Sequence, residues 1–358
     1  MKSSKTLITI TLLLPIQYIV VQLSKHHTGW VEHYYSERLY PILSKTLRFC
    51  LGWIPFSVGD LIGLSLLALF IISTFKWLKN KCKKTTLFLL RITATLSIIY
   101  ICFYWFWGFN YFRAPLSNSL HLKTSTYTTE ELVSTTKLII SKLNAYQHKL
   151  TQNDTVAVVV PYTSDVIFKK AAEAYNNLSK QYPQFSYECP STKTSLISLF
   201  QSYNGTSGYL NPITGEAQVN RMIPKTGFPA TTCHEIAHQL GWSAENDANF
   251  VGFLATTLYN DTYFKYSGYR MAFVYLISDL KKRAPEIEKR LWQSVHKGIS
   301  KDFRNTYLHW KTFENPIEPY FKKGYNSYLK ANNQVNGIES YNYVVDLLIA
   351  YDHQISAD

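Results

Sequence analysis

The most informative stretch of the chain is Thr232-Cys-His-Glu-Ile-Ala-His-Gln-Leu-Gly-Trp-Ser-Ala-Glu-Asn-Asp-Ala-Asn-Phe250. Within it, His234 and His238 are four residues apart, so on a helix they share one face and lie one turn apart. Two imidazoles in this arrangement can bind one zinc ion, and Glu235 beside them can reach a water molecule at the metal. The spacing therefore predicts a single Zn²⁺ with His234 and His238 as ligands and Glu235 as the catalytic general base. The alternative is a buried helix whose histidines only form hydrogen bonds.

A zinc site needs a third protein ligand, and catalysis needs a fourth position that is open to water. Glu245 and Asp247 are the nearby acids, and residues two apart on a helix point about 200° apart, so only one can face the metal. Gly241 should end the first helix in a left-handed turn, and Ser243 should cap a second helix from Ala244 to about Leu258. Glu245 shares its face with small or polar residues that let this helix pack close to the first (Ala248, Asn249 and Gly252), so we predict Glu245 as the third ligand. Asp247 would lie on the far side, where an alanine should cost no more than a surface change, ~0.5 kcal/mol.

The composition of the 358 residues indicates a membrane protein, and the length suggests about two domains. Hydrophobic residues make up 46% of the chain and charged residues only 17%, against roughly a quarter in a typical soluble domain. The net charge is +13, but residues 1–113 hold 13 Lys and Arg against 3 Asp and Glu. Because this basic excess lies among apolar runs, it indicates membrane topology and argues against nucleic-acid binding.

Three apolar runs predict transmembrane helices at about 6–24, 56–75 and 92–109. The first lacks a small-x-small cleavage site, so we interpret it as an uncleaved anchor and not as a signal peptide. Asp60, near one membrane surface, is expected to serve as a helix cap or dipole partner. The rings between Tyr104 and Phe112 are typical of an interfacial aromatic belt, although hydrophobic bulk inside the bilayer would explain the inner rings equally well.

The charges of the connections predict the orientation of the chain. Basic residues without any acid crowd the connection between the second and third spans: Lys76, Lys79, Lys81, Lys83, Lys84 and Arg91. By the positive-inside rule, the N-terminus and residues 76–91 are cytoplasmic, and everything after the third span lies outside the cytoplasm.

After Arg113-Ala-Pro-Leu the composition becomes that of a soluble domain, so we divide the chain into a membrane domain, 1–113, and a second domain, 114–358. The predicted fold class is α+β and predominantly helical, with three N-terminal transmembrane helices. The predicted elements are helices at Thr128–Leu150 and Asp165–Gln181, a strand at Thr155–Val160, a hairpin at Gly208–Asn220, and mostly helix after Pro229.

Glu245-Asn-Asp-Ala-Asn249 resembles the glutamate-x-x-alanine-acid/amide helix that follows the H-E-x-x-H helix of gluzincin metallopeptidases, with a shorter separation from the second histidine. The position of the metzincin histidine ligand is occupied by Ala244. Four further segments are similar to a Bacteroidota membrane family catalogued as domain of unknown function 3810: Arg113-Ala-Pro, Gly208-Tyr-Leu-Asn-Pro, Gly215-Glu-Ala-Gln-Val-Asn and Tyr266-Ser-Gly-Tyr. This resemblance implies a zincin-like domain over 114–358 and, with the predicted orientation, a bacterial inner-membrane protein whose C-terminal domain is periplasmic.

Three supporting roles follow with open alternatives. Zincins bind an extended substrate along an edge strand, and the hairpin containing Tyr209 is placed for this, unless it is an ordinary structural hairpin. Asn249 is either a residue that holds a ligand histidine or a helix-packing amide. Four residues after the motif are equal candidates for donating a hydrogen bond to an oxyanion: Tyr263, Tyr266, Tyr269 and His309.

The predicted function is a membrane-anchored zinc metallopeptidase that hydrolyses a peptide or protein substrate and has no nucleic-acid partner. The alternative is a non-catalytic, zinc-stabilised membrane protein that binds a peptide or scaffolds a complex. Glu235 argues against that alternative, because a structural site has no need of a general base. A transporter is disfavoured because there are only three spans. The spacing of the five cysteines indicates no disulfide framework. The sequence leaves open whether Cys189 and Cys233 form a disulfide.

Overall fold

Three helices of the computed structural model, which describes residues 2–124 and 126–357, are long and apolar enough to cross a membrane. The first five helices are α1 (Lys2–Ser24), α2 (Thr28–Trp30), α3 (Tyr40–Leu51), α4 (Val58–Lys79) and α5 (Thr85–Phe106), with a π-helical segment over Val31–Leu39. The candidate spans are α1, α4 and α5. The first two agree with the prediction, whereas the third begins at Thr85 and ends at Phe106, earlier at both ends than predicted.

The three candidate spans meet the rest of the chain at one side. Lys25, directly after α1, donates to the Ala331 carbonyl at 2.8 Å. Asp60, in the first turn of α4, accepts the Leu196 N–H at 2.7 Å, and Trp107, directly after α5, donates to the His238 carbonyl at 3.1 Å. The connection 80–84 is at the other end of α4 and α5, about 33 Å away along helices of 22 residues. The part of the chain that follows α5 therefore contacts the spans at the ends opposite that connection.

The second part of the chain is a helical domain built around two adjacent helices. Its helices are α6 (Leu116–Ser119), α7 (Thr129–Thr151), α8 (Ser164–Leu178), α9 (Ser198–Asn204), α10 (Phe228–Gln239), α11 (Glu245–Leu258), α12 (Thr262–Arg283), α13 (Pro285–Gln293), α14 (Lys297–Lys311), α15 (Glu318–Ala331) and α16 (Val344–Ala357). The capping box expected at Thr128 and Glu131 is present and starts α7. The helices α10 and α11 pack on each other and on α8 and α12, and their apolar side chains, such as Ile236 and Leu254, are fully buried.

A small sheet lies beside α10. Its strands are β1 (Thr192–Thr194), β2 (Gly208–Asn211) and β3 (Glu216–Val219), in the order β1-β3-β2. The antiparallel pair of β2 and β3 confirms the predicted hairpin, and β1 is an additional parallel strand. The strand predicted at Thr155–Val160 is wrong, because this segment pairs with no strand among the described residues. Val158 and Val160 are buried while Val159 is exposed, so the β-branched run that suggested a strand forms a loop against the core.

The aromatic run at the end of the third span is not a membrane-interface belt. Its rings pack in a buried cluster with Val31, Tyr35 and Tyr40 from the first connection and with Leu210 of β2. The buried rings of this cluster are Tyr104, Trp107, Phe109, Tyr111 and Phe112. The prediction is wrong for these five residues because their partners come from the domain and the first connection, which a local run of rings does not reveal.

The cysteines form no disulfide. Cys189 and Cys233, whose pairing the sequence left open, are both free thiols. Cys233 is fully buried in α10, and this burial raises the pKa of its thiol well above the ordinary value. The fold therefore depends on packing and hydrogen bonds and has no covalent cross-links.

Candidate metal centre

The structure brings the three predicted metal ligands together. The Nε2 atoms of His234 and His238 lie 3.2 Å and 3.5 Å from Oε2 of Glu245. One ligand atom from each residue lies within 4.8 Å of those of the other two. The two imidazole rings are nearly perpendicular, with centroids 4.6 Å apart. We call these three residues the metal cluster.

The turn between α10 and α11 sets this geometry. Gly241 has a φ of +86°, the left-handed conformation that the sequence predicted for the end of the first helix. The predicted cap is wrong, however, because Ala244 and not Ser243 occupies the N-cap position, and α11 begins at Glu245. The Ser243 hydroxyl is buried and has no hydrogen-bond partner. Glu245 is therefore the first residue of α11, where its carboxylate points back to α10.

A backbone contact fixes the tautomer of His238. Its Nδ1 lies 2.7 Å from the carbonyl oxygen of Trp242, which can only accept a hydrogen bond. Nδ1 therefore carries a proton, and Nε2, which faces Glu245, is the ring nitrogen that can bind a metal once it loses its own proton. Arg113 holds the same turn, since its guanidinium donates to the Gly241 carbonyl at 3.1 Å and stacks 3.6 Å from the centre of the Trp242 ring.

Residues from the membrane side satisfy the last carbonyls of α10. The Tyr40 hydroxyl and Trp107 Nε1 donate to the His238 carbonyl at 3.3 Å and 3.1 Å. The hydroxyls of Tyr40 and Ser44 donate to the Gln239 carbonyl at 3.0 Å and 2.7 Å. The carbonyls at a helix end have no partner within the helix. The hydrogen bonds at the end of α10 are therefore completed by α3 and by Trp107, the residue after α5. The sequence had assigned both to the membrane domain.

Glu235 lies between the metal cluster and the edge strand of the sheet. A Cβ atom on Gly208, the first residue of β2, would lie only 2.5 Å from Glu235 Oε1, so only glycine fits beside this carboxyl group. The side chain is almost fully buried. Burial raises the pKa of Glu235 to about 7, and the charges of His234 and His238 oppose this shift only in part.

The electrostatics of the cluster favour a bound cation. Burial alone would raise the pKa of Glu245, but the two histidines outweigh it and hold this pKa far below the ordinary value. Burial lowers the pKa of His238, and the charge of Glu245 outweighs that effect and raises it to about 9. The cluster therefore stabilises a positive charge between its members, which a proton or a divalent metal can supply.

Two buried polar atoms of this site, His234 Nδ1 and Glu235 Oε2, have no partner, and Glu245 Oε2 forms no hydrogen bond of good geometry and faces only the Nε2 atoms of the two histidines. An unpartnered buried polar group costs about 1–3 kcal/mol and calls for an explanation. Two imidazoles and one carboxylate are the donor set of many catalytic zinc sites, in which the fourth position is open. The residues present therefore fit a zinc ion, which would take up the lone pair of Glu245 Oε2.

Tyrosines that the sequence did not single out surround Glu245. The Tyr325 hydroxyl, from α15, donates to Glu245 Oε1 at 2.7 Å and lies 3.2 Å from the Tyr341 hydroxyl. The hydroxyls of Tyr111 and Tyr328 are also 3.2 Å apart. Burial and then the charge of Glu245 raise the pKa of Tyr325 well above its ordinary value, so it stays a neutral donor. No local pattern distinguishes these residues among 27 tyrosines.

The predicted oxyanion donors lie elsewhere. The Tyr266 hydroxyl is fully buried and donates to Asp302 at 3.0 Å. The other candidates pack on aromatic neighbours: Tyr263 on Tyr162, Tyr269 on Tyr146, and His309 on Trp310 and Phe313. Their position in the chain after the motif suggested them, but none of them forms a hydrogen bond with the metal cluster.

The predicted supporting residues also have other partners. Asn249 donates to the Tyr275 hydroxyl at 3.0 Å and does not hold a ligand histidine. The Tyr209 hydroxyl donates to the carboxylate of Asp60 and does not point along the edge strand toward a substrate. The Asn249 side chain therefore packs α11 against α12, and the Tyr209 side chain anchors β2 to α4.

Asp247 is outside the metal cluster, as the helix phase predicted, but it is not at the surface. Its Oδ2 accepts the Leu116 N–H at 3.2 Å, and its Oδ1 accepts from the Asn246 amide at 2.9 Å. The side chain is buried, and burial raises its pKa to about 7. The surface-type penalty expected for Asp247→Ala is therefore wrong.

Two buried carboxylates hold the start of α4 against the sheet, and we call them the junction pair. Glu216 of β3 accepts the N–H groups of Val58 and Gly59 at 3.1 Å and 2.6 Å, and its Oε1 lies 3.0 Å from Lys193 Nζ. Asp60 accepts from Tyr209, from the Ser195 hydroxyl at 2.9 Å and from the Leu196 N–H. Asp60 thus lies in the first turn of α4, as expected, with partners that the sequence did not indicate.

Comparison with known proteins gives a family without an assigned activity. A family model described as "Protein of unknown function (DUF3810)" matches residues 35–349. These residues include α4, α5 and the metal cluster, whereas α1 precedes them. No curated protein and no solved structure matches the chain. The resemblance inferred from the sequence is confirmed at the level of the family: the chain belongs to the DUF3810 family of proteins of unknown function.

Proposed function

We propose that this protein is a membrane-anchored zinc metallopeptidase with a zincin-like domain, in which His234, His238 and Glu245 hold one zinc ion. The observation that carries the proposal is the convergence of these three ligand atoms within 4.8 Å beside the buried carboxyl group of Glu235. A structural zinc site is closed by four protein ligands, and this set offers three, which leaves a position for water or substrate. The unpartnered Oε2 of Glu235 faces no other protein donor and is free to act on that water.

The residues of the chain divide the hydrolysis between them. Zinc bound there would polarise the scissile carbonyl and lower the pKa of a nearby water molecule. Glu235 accepts a proton from this water as the new carbon–oxygen bond forms, and delivers it to the amide nitrogen as the carbon–nitrogen bond breaks. Glu235 is buried beside the metal cluster, and its carboxyl group is placed to perform both transfers. His238, oriented by the Trp242 carbonyl, and Tyr325, bonded to Glu245, keep the ligands in place.

The edge strand β2 supports a peptide as the substrate. Within the described residues β2 pairs only with β3, so its other edge carries no strand, and we propose that an extended chain binds there. A peptide added along this edge would pass Gly208, which touches Glu235. Because Asp60 and Trp107 at the ends of two candidate spans contact β2 and His238, we propose that the substrate is a polypeptide presented at the membrane surface.

The change Glu235→Gln tests the proposed reaction. The amide retains the size of the side chain but cannot accept the proton, so we expect hydrolysis to fall by about 10²–10⁴-fold. Zinc should stay near one equivalent per chain, because Glu235 is not a ligand. The full chain, purified in detergent, gives the metal content, and proteomic comparison of cells that carry either form gives the loss of cleaved products.

Glu286→Gln is the matched control, since Glu286 is exposed and pairs only with Lys289 on the surface of α13. This variant should cleave and bind zinc as the wild type does. Wild-type cleavage by the Glu235→Gln variant would refute the mechanism, and a wild-type chain that binds no zinc would refute the metal.

We propose that the protein lies in a bacterial inner membrane with the domain in the periplasm. The three span ends that contact the domain lie opposite the connection 80–84, which is flanked by lysines. The positive-inside rule then keeps this connection in the cytoplasm. A reporter that is active only outside the cytoplasm should be active when fused after Asp358 and silent when inserted next to Lys81. The opposite pattern would place the domain and its substrates in the cytosol.

A further inference from the structure

The short helix α9 is amphipathic with its apolar face outward. Leu196, Leu199, Phe200 and Tyr203 follow one another at helical spacing, and 48%, 56%, 50% and 45% of their surfaces are exposed. The residues of the opposite face are polar and buried: Ser198, Gln201 and Ser202. A helix on a water-exposed surface shows the reverse arrangement. The outer face of α9 is therefore suited to an apolar environment.

The apolar face continues onto α15. Ile317, Tyr320 and Phe321 lie at the start of this helix and are exposed. The rings of Phe200 and Phe321 touch edge to face with centroids 5.4 Å apart, and the Asn315 amide donates to the Tyr203 carbonyl at 2.7 Å. We call the combined patch the α9–α15 surface; it consists of Leu196, Leu199, Phe200, Tyr203, Ile317, Tyr320 and Phe321. Contiguous exposed apolar surface of this kind marks an interaction site.

The segments that carry the α9–α15 surface are attached to the candidate spans at two places, before α9 and at the far end of α15. At one end, the Leu196 N–H is bonded to Asp60 in the first turn of α4. At the other end, the Ala331 carbonyl at the end of α15 accepts from Lys25, and Asn332 accepts from the Tyr104 hydroxyl in the last turn of α5 at 2.8 Å. These three contacts place α9 and α15 at the level where α1, α4 and α5 leave the membrane.

We propose that the α9–α15 surface is immersed in the interfacial layer of the bilayer that the three spans cross. The spans keep this surface next to the lipid at all times, whereas a protein partner would have to compete for it. Its composition fits the layer: Tyr203 and Tyr320 provide aromatic rings with a polar end, and the exposed lysines Lys322, Lys323 and Lys330 on α15 suit anionic headgroups. An interfacial helix lies about 5–10 Å into the boundary between headgroups and acyl chains.

This position places α15 between the bilayer and the metal cluster. Tyr325, in the middle of α15, donates to Glu245, while Tyr320 and Phe321 one turn earlier are exposed. The immersion itself does not depend on the proposed peptidase activity, because it is argued from the apolar face and its attachment to the spans.

Spin labels on the full chain, reconstituted in vesicles of phosphatidylethanolamine and phosphatidylglycerol, test the immersion. The label sites are Leu199→Cys and Tyr320→Cys, with Leu67→Cys on the exposed face of α4 as the bilayer standard and Val159→Cys on the loop before α8 as the water standard. The native thiols to be replaced are Cys50, Cys82, Cys102 and Cys189, and the fully buried Cys233 can stay. All four label sites are exposed, so the substitutions should leave the fold intact.

The measured quantity is the accessibility of each label to oxygen, which concentrates in lipid, relative to a water-soluble nickel complex. We expect this ratio at Leu199→Cys and Tyr320→Cys to be several-fold above that at Val159→Cys and below that at Leu67→Cys. A ratio equal to that of Val159→Cys would show a water-exposed surface and overturn the proposal. Labels shielded from both reagents would show a covering protein or second copy, and would overturn it as well.

Discussion

The junction pair and the metal cluster are two buried acidic sites with opposite states of hydrogen bonding. Both carboxylate oxygens of Glu216 and of Asp60 have protein donors. In the metal site, Glu235 Oε2 is equally buried but has no donor, and Glu245 Oε2 faces only the Nε2 atoms of His234 and His238 without a hydrogen bond of good geometry. Burying an ionised carboxylate is costly unless donors or cations replace the lost water. The comparison shows that the hydrogen bonds of the junction pair are complete within the protein, whereas those of the metal site are not.

The same difference separates two roles for buried charge. Glu216 contacts Lys193 and accepts hydrogen bonds from the first N–H groups of α4. These contacts hold a candidate span against the sheet. Glu245 contacts two histidines and one tyrosine, and its Oε2 atom forms no hydrogen bond of good geometry. We therefore expect mutations at the junction to change stability, and mutations in the metal cluster to change metal binding.

The largest effect on stability is expected from Glu216→Ala. The change leaves Lys193 buried without its partner and removes the acceptors of Val58 and Gly59. Removing one member of a buried ion pair costs about 3–5 kcal/mol, which thermal unfolding of the full chain in detergent should reveal. Glu216→Gln keeps an acceptor and should lose less. If folded Glu216→Ala lacks zinc, the two sites are not separable and the comparison fails.

The change Glu245→Ala should act on zinc. Two histidines then remain as protein ligands, and the loss of affinity should exceed the ~100-fold that removing a supporting contact of a metal ligand costs. In the wild type, zinc at 100 times its dissociation constant should stabilise the fold by about 2.7 kcal/mol, and this gain should vanish in the variant. Circular dichroism of the metal-free variant is the control for folding. Retained zinc would mean that the third ligand lies elsewhere.

The local part of the site could be predicted from the sequence, because its residues are close along the chain. His234, Glu235, His238 and Glu245 lie on two consecutive helices joined by Gly241, so helical spacing and one left-handed turn define their arrangement. The same reasoning predicted α7 from its capping box. Glu245 was chosen over Asp247 from the helix phase and from the small or polar residues on its face, and the phase holds despite a one-residue error in the cap.

The long-range part could not be predicted. Tyr325 and Glu245 are 80 positions apart, and Tyr209 and Asp60 are 149 apart, and no local periodicity encodes such pairs. Strand β1 was missed because it is three residues long and polar. The strand predicted at Thr155–Val160 has the opposite cause, since β-branched residues favour strands but here lie in a loop against the core.

The smallest effect is expected from Asp247→Ala, which tests whether the comparison extends to a third buried acid. Asp247 resembles the junction pair, since both of its oxygens have donors, although it is only two residues from Glu245. The alanine leaves the Leu116 N–H without its acceptor, but it also removes the cost of burying a carboxyl group. The free energy of unfolding should therefore fall by about 1 kcal/mol, the low end for an unpaired buried donor. Zinc affinity should match the wild type, and Asp247→Asn, which retains an acceptor for Leu116, should lose less stability still. If Asp247→Ala lost zinc while Glu245→Ala retained it, the assignment of the two acids would be reversed. Complete hydrogen bonding would then not distinguish structural from functional carboxylates in this fold.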